Sequence, residues 1–297
     1  MSSAEVAPTA VRTAVPVRSR QAVGPTALRV HVVSDVHGAV PELSRAAEGS
    51  DVFVCLGDLI LFLDYDSPGR GILADLFGEE HARAYIEART ANRFDEAHAL
   101  SVAAWARLGV TDPAEKRTLM QAMVKGQYEE LFDAMPSPAL LTYGNVDIPA
   151  LWPDYLREGH HVVDAQVIDV EGMRWGFVGG GLVSPMRTPY EIPEQEYAEK
   201  VAALGPVDVL FTHIPPALPE LTYDVRARRF EVGSRALLQY VRANQPRYHL
   251  FGHVHQPLAS RTRVGRTECI NVGHFHGSGR PFVLDLPSRG GHGGAGR

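Results

Sequence analysis

An α/β (α+β) fold with a mixed sheet, in one domain, is predicted by three features of this 297-residue chain. Nine short apolar runs rich in Val, Leu, Ile and Phe read as buried strands, near 28–34, 51–56, 139–143, 162–170, 173–178, 207–212, 247–251, 267–272 and 281–286. They alternate with helical stretches only in part, and the late runs lie close enough together to pair as hairpins, so a purely parallel sheet is not expected. No internal repeat and no strong linker divides the chain. Hydrophobic residues make up 45% and charged residues 22%, an ordinary globular balance that supports a sizeable core.

Taken in order, residues 1–27 read as a disordered tail rich in Ala, Val, Ser, Pro and Arg. They carry no apolar block of signal-peptide length. Arg12, Arg18 and Arg20 with the single acid Glu5 are also compatible with an organellar transit peptide; a dispensable extension is the preferred account. The first two runs follow, at 28–34 and 51–56. Residues 64–136 read as a helical insertion in a domain spanning 28–287. One helical stretch runs from Glu79 to Leu108. A second starts at Thr111-Asp112-Pro113-Ala114-Glu115, with an N-cap, a first-turn proline and an early acid. Leu119, Met120, Met123, Val124, Gln127, Leu131 and Phe132 then recur at helical spacing. Pro136 and Pro138 end the insertion. Its apolar positions are expected to pack on the core; a cap over a cleft and a homo-oligomer surface are the alternatives. The runs 162–170 and 173–178 lead into Gly179-Gly180-Gly181, whose backbone can approach a ligand closely. Cys55 and Cys269 read as small buried hydrophobes. Residues 288–297 are Gly-rich and expected to be flexible.

Chemistry is concentrated just past the runs. Asp35 and His37 follow the first run, Asp58 the second and Asn145 the third. His213 follows 207–212, and His253 and His255 follow 247–251. Any one such residue is more often a turn or strand-end residue than a ligand. Together they point to one cleft, because open sheets bind ligands beyond the carboxyl ends of their strands. Residues i and i+2 of an extended segment face the same way, so Asp35 with His37, and His253 with His255, can grip one ion. Oxygen and imidazole donors without thiolate suit manganese, iron, zinc or similar divalent ions better than a structural cysteine site.

The series Asp35-Val36-His37, Gly57-Asp58, Gly144-Asn145, Thr212-His213 and Gly252-His253-Val254-His255 resembles, in order, the motifs of calcineurin-like metallophosphoesterases. His213-Ile214-Pro215-Pro216, Gly233-Ser234 and Asn271-Val272-Gly273 add smaller likenesses, and the resemblance covers about residues 28–286. It implies a four-layer αββα sandwich of two mixed sheets flanked by helices, with the metal cleft at their edge. It also implies two divalent ions: one held by Asp35, His37, Asp58 and His255, the other by Asp58, Asn145, His213 and His253, with Asp58 bridging. Manganese is the expected ion, and iron, zinc, nickel or cobalt are alternatives. The implied reaction is attack on phosphorus by a hydroxide bridging two ions about 3.5–4 Å apart, with Asp58, Asn145 and His213 at the chemistry.

One departure matters. Relatives often carry His after Gly-Asn, where this chain has Val146, which cannot donate a proton. A positioned acid contributes roughly 100- to 10,000-fold. His274 or His276 could supply a replacement. Arg187, in the loop after Gly181, could meet a phosphate bidentately, or be an ordinary solvated arginine. Some bacterial branches that also lack the His resemble phosphodiesterases, so a small phosphodiester, cyclic nucleotides included, is the expected substrate. A phosphomonoesterase and a catalytically silent scaffold are the alternatives.

The net charge of −6 gives no general attraction to nucleic acid or to an anionic membrane. The basic run Arg226, Arg228 and Arg229 is too short for a nucleic-acid stripe. No run reaches the ~18–20 apolar residues that span a bilayer, and a cytoplasmic location is expected.

Overall fold

A computed structural model describes residues 27–287. The tails expected at 1–27 and 288–297 lie outside the described residues, apart from Ala27.

In chain order the elements are β1 (Leu28–Val33), α1 (Val40–Leu43), β2 (Val52–Cys55), α2 (Ile72–Phe77), α3 (Glu79–Thr90), α4 (Phe94–Arg107), α5 (Pro113–Ala134) and β3 (Ala139–Leu141). A 3-10 turn at Pro149–Asp154 leads to β4 (His160–Val162), β5 (Gln166–Val170), β6 (Met173–Val178), β7 (Gly181–Leu182), β8 (Glu191–Ile192), α6 (Glu194–Ala202) and β9 (Val209–Thr212). Then come α7 (Pro219–Thr222), β10 (Tyr223–Asp224), β11 (Arg229–Phe230), α8 (Arg235–Asn244), β12 (Tyr248–Phe251), β13 (Arg261–Val264), β14 (Thr267–Asn271), α9 (Phe275–Ser278) and β15 (Phe282–Leu286).

Two large mixed sheets result. The first has the order β15-β1-β2-β3-β4, with β1 to β4 parallel and β15 antiparallel against β1. The second has the order β13-β14-β12-β9-β6-β5, parallel from β14 to β6 and closed by antiparallel strands at both edges. Side chains alternate as strand geometry requires. Val30, Val32, Val52 and Val54 of the first sheet meet Trp175, Phe177, Val209, Phe211 and Leu250 of the second between the sheets. Phe53 and Cys55 face outward into a cluster with Val124, Tyr128, Leu131 and Phe132 of α5. Leu210 and Phe251 face outward onto Tyr197 and Val201 of α6 and Leu237 and Val241 of α8. The layers are helices, sheet, sheet, helices, as the motif resemblance implied. Both cysteines are buried and free.

Two sequence expectations are corrected. The single strand at 162–170 is two strands in different sheets. Ala165 takes a left-handed turn (φ 51°) between β4 and β5, and this is where the chain crosses from one sheet to the other. The stretch Glu79–Leu108 is two helices. Asn92, at φ 58°, ends α3 in a Schellman turn: its N–H bonds to Arg89 O (3.0 Å) and that of Arg93 to Ala88 O (2.8 Å). The expected start of α5 is as read, with Asp112 capping Ala114 N and Pro113 opening the helix. Leu119 departs from the expected stripe and is exposed. Gln127 spends its amide on the backbone, accepting from Leu61 N (2.7 Å) and donating to Leu61 O (3.0 Å).

Candidate metal centre

The parallel strands of both sheets end on one edge of the sandwich, and the seven residues singled out from the sequence meet there. Asp35 and His37 leave β1, Asp58 leaves β2, Asn145 leaves β3, His213 leaves β9, and His253 and His255 leave β12. The chain must turn sharply at each exit. Asp35 (φ 56°), His37 (39°), Asp58 (54°) and His253 (68°) all adopt the left-handed conformation, rare for residues other than Gly, so these exits are not the extended segments expected, and His253 groups with Asp58 and His213 while His255 groups with His37. Such backbone costs on the order of 1–3 kcal/mol per residue and persists where surrounding structure enforces it, typically at functional sites. The turns also pack on each other. A Cβ on Gly144 would lie 2.0 Å from Asp58 Oδ1, so only glycine lets the third exit close on the second.

The donor atoms are aimed by hydrogen bonds behind them. His37 Nδ1 lies 3.0 Å from Ile60 O, and His213 Nδ1 lies 3.0 Å from Leu56 O. A carbonyl can only accept, so each Nδ1 carries the proton and each Nε2 presents its lone pair to the cleft. Asn145 is aligned by a chain running outward. Its Nδ2 donates to Thr188 Oγ1 (2.9 Å), and Thr188 donates to Glu191 Oε1 (2.8 Å). The amide oxygen is thereby turned inward, 2.9 Å from His213 Nε2 and 2.8 Å from His253 Nδ1. Asp147, fully buried, accepts from Asp58 N, Leu59 N and Gly144 N, which ties the Asp58 and Asn145 exits together.

The donor atoms of Asp35, His37 and Asp58 lie within 4.8 Å of one another, and so do those of Asp58, His213 and His253. Asp58 belongs to both groups. His37, His255 and His274 form a third such group. These residues fit divalent ions on their own geometry. His37 Nε2 and His255 Nε2 face each other at 3.3 Å, and the buried Asp35 Oδ1 has His255 Nε2 beside it at 3.4 Å, outside good hydrogen-bond geometry. Lone pairs converging this closely call for a shared cation. Burial alone would pull the His213 imidazole down, but the Asp58 carboxylate 3.4 Å away outweighs it and pushes the pKa up to about 9. Burial would likewise raise the Asp58 carboxyl, yet His213 holds it below the ordinary range.

The three substrate candidates occupy different places. His274 stacks flat on His255, with ring centroids 3.9 Å apart, and lies 5.8 Å from the His37 ring. His276 sits one step out, its Nε2 3.4 Å from Asp64 Oδ2 and its backbone N–H bonded to Asp35 O. Arg187 is exposed on the loop, adjacent to Thr188. Thr188, Glu191 and Asp147 were not singled out from sequence. Only Asp147, three residues from Gly144 in a recognised motif, carried any local signal.

A four-layer sandwich with oxygen and imidazole donors gathered at one sheet edge defines a protein built around a divalent-metal cleft. The family model described as calcineurin-like phosphoesterase matches residues 28–257, and the chain belongs to that family, whose members bind dimetal centres. Solved structures of low identity resemble the chain, and the first of them shares its fold. One crystal structure is 14% identical with a TM-score of 0.52 and covers 88% of this chain and 99% of that chain. TT1561 of Thermus thermophilus is 13% identical with a TM-score of 0.46, over 88% of this chain and 99% of that one. GAP50, the anchor in the inner membrane complex of Plasmodium, is 12% identical with a TM-score of 0.39, over 84% and 72%. No curated protein matches the chain. Among the described residues, no helix is long and apolar enough to cross a membrane.

Proposed function

We propose that this chain is a dimetal phosphoesterase that hydrolyses small phosphodiesters, with manganese as its working ion. The observation that carries the reading is the double membership of Asp58, whose carboxylate is common to both donor groups. Asp35, His37, Asp58 and His255 would hold one ion, and Asp58, Asn145, His213 and His253 the other. Two such ions, when bound, supply an acidified water and neutralise phosphoryl charge.

The chain's own residues do the rest. The carbonyls of Ile60 and Leu56 hold the Nδ1 protons of His37 and His213, so Nε2 is the atom each ring turns to the cleft. The relay from Asn145 through Thr188 to Glu191 presents a neutral oxygen, which adds no negative charge beside an anionic substrate. Val146 gives only its backbone N–H, to Asp58 Oδ1 at 2.9 Å. Its aliphatic side chain offers no proton to a leaving group. The preference for diesters rests on the likeness of Gly144-Asn145-Val146-Asp147 to bacterial phosphodiesterase branches. With a net charge of −6, attraction of the substrate falls to the cleft itself and not to the surface at large.

The test is hydrolysis of bis-p-nitrophenyl phosphate with Mn²⁺, beside Asp58→Ala. Turnover by the unaltered protein that vanishes in the variant is expected. Absent turnover across several divalent ions, in protein that binds them, would overturn the diesterase reading.

A further inference from the structure

The imidazoles of the cleft are not all held alike. His37 and His213 each donate to a backbone carbonyl from the ring nitrogen that points away from the cleft. His255 turns its Nε2 inward, 3.3 Å from His37 Nε2 and 3.4 Å from Asp35 Oδ1. Among the described residues, its Nδ1 has no hydrogen-bond partner. Its side chain is also 34% exposed, against 13% for His37 and 0% for His213. Ligating histidines ordinarily carry a partner on the second ring nitrogen, which fixes the plane of the ring. A ring held only at its cleft end can turn about its side-chain bonds.

What His255 has instead is the face of His274. The two ring planes lie within 7° of each other, with centroids 3.9 Å apart. His274 also meets the His37 ring edge-on, at 5.8 Å and 64°. Backbone bonds fix its place. Phe275 N bonds to Ser34 O (3.0 Å) and His276 N to Asp35 O (3.1 Å), so the turn that follows His274 is fastened to the β1 exit. Asn271 ties the segment of His255 to that of His274. Its Nδ2 donates to Gly252 O (3.2 Å) and to Val254 O (2.9 Å), and its Oδ1 accepts from Gly273 N (2.9 Å). The donor atoms of His37, His255 and His274 lie within 4.8 Å of one another. Yet imidazole lone pairs lie in the ring plane, and parallel stacked planes do not aim theirs at one point. The stack therefore suits His274 to support His255 and not to share an ion with it.

We infer that His274 is a positioning residue: its ring face fixes the plane of His255 in place of the missing hydrogen bond, and so sets the affinity of the ion on the Asp35–His255 side. His274 then has a task other than proton donation to a leaving group. This role rests on the reading of His255 as a metal donor. An aromatic stack contributes beyond its buried area, enough to change an affinity by roughly tenfold. The effect is confined to one ion, because His274 has no ring contact with His213 or His253 among the described residues.

The experiment is a calorimetric titration of Mn²⁺ into the full chain, stripped of metal with a chelator. It compares the unaltered protein with His255→Ala, His274→Ala, His274→Gln and His274→Phe. His255→Ala identifies which of the two binding steps belongs to the Asp35–His255 side. His274→Ala and His274→Gln lack a flat ring, and each should weaken that step by roughly tenfold while leaving the other unchanged. The Gln variant serves if the Ala variant does not fold. His274→Phe keeps a flat ring without nitrogen and should recover most of the loss. Unchanged affinity in the Ala and Gln variants would overturn the proposal. So would a loss in the Phe variant as large as in the Ala variant, because it would make His274 a donor in its own right. If His255→Ala weakens one step and the His274 variants weaken neither, only the positioning role falls. If His255→Ala leaves both steps as they were, the reading of His255 as a donor falls, and the role of His274 with it.

Discussion

The Asp147 carboxylate holds the backbone N–H of Asp58, 89 residues away in sequence, at 2.8 Å, and the same oxygen holds Gly144 N at 2.8 Å. Its other oxygen takes Leu59 N at 3.0 Å. One buried acceptor thus sets the spacing between the exits that carry Asp58 and Asn145. Asp147→Asn replaces one oxygen by an NH₂ that faces donors. It should cost about 1–3 kcal/mol of stability, read from urea unfolding, because a buried donor is left unmatched. Manganese affinity, read by titration, should weaken with it. A variant as stable and as tight as the unaltered protein would show that the exits need no such tie.

Gly252 lies where the two sheets meet. A Cβ there would stand 2.0 Å from Ser34 Oγ and 2.4 Å from Asp35 Oδ2. Asp35 Oδ2 also accepts His253 N at 2.9 Å, so the intruding carbon pushes directly on a donor. Gly252→Ala should destabilise the fold by about 1–3 kcal/mol and lower the bound metal per chain, measured by elemental analysis. Full metal content in this variant would mean that Asp35 can move without loss.

Lys200 and Asp164 grip the Gly-rich loop from behind. Lys200 Nζ lies 2.8 Å from both Asp164 Oδ2 and Gly179 O, and Asp164 Oδ1 accepts Gly179 N at 2.9 Å. Both side chains are largely buried, so removing one charge strands the other. Lys200→Met is expected to cost about 2–4 kcal/mol in denaturant unfolding. Adding Asp164→Asn, which keeps the bond to Gly179 N and removes the stranded charge, should restore part of the loss. No recovery in the double variant would count against an electrostatic cause.

His249 predicts acid sensitivity away from the metal cleft. Its ring is buried behind the second sheet, bonded through Nε2 to Thr212 Oγ1 with Nδ1 unpartnered, and burial pulls its pKa down to about 3. The unfolded chain binds a proton near pH 6.5 that the folded chain refuses until far lower pH. Stability is therefore complete above about 6.5 and falls as pH drops, by up to ~1.4 kcal/mol per unit. His249→Leu should flatten the fall between pH 7 and pH 5 by about 2 kcal/mol. The comparison is of urea midpoints at the two pH values; parallel losses in both proteins would acquit this residue.

The seven residues that meet at the sheet edge were legible in the sequence, since each follows an apolar run within a few residues and the run itself betrays the strand. The relay of Thr188 and Glu191 was not legible, nor was the pairing of Lys200 with Asp164. These are ordinary polar residues, and Asn145 with Thr188, like Lys200 with Asp164, lie tens of residues apart in sequence. The strand at 162–170 shows the same limit within the fold. Its apolar pattern is nearly continuous, yet its two halves pair in different sheets.

What the sequence determined by itself is the alternation of strand faces and the residue that follows each strand, because hydrophobic periodicity is a local property with a local physical cause. What only the tertiary structure decided is which sheet each strand joins and which charges find a partner. Those are settled by packing two sheets together, which brings distant backbone and side-chain groups within hydrogen-bond distance and shuts water out from between them.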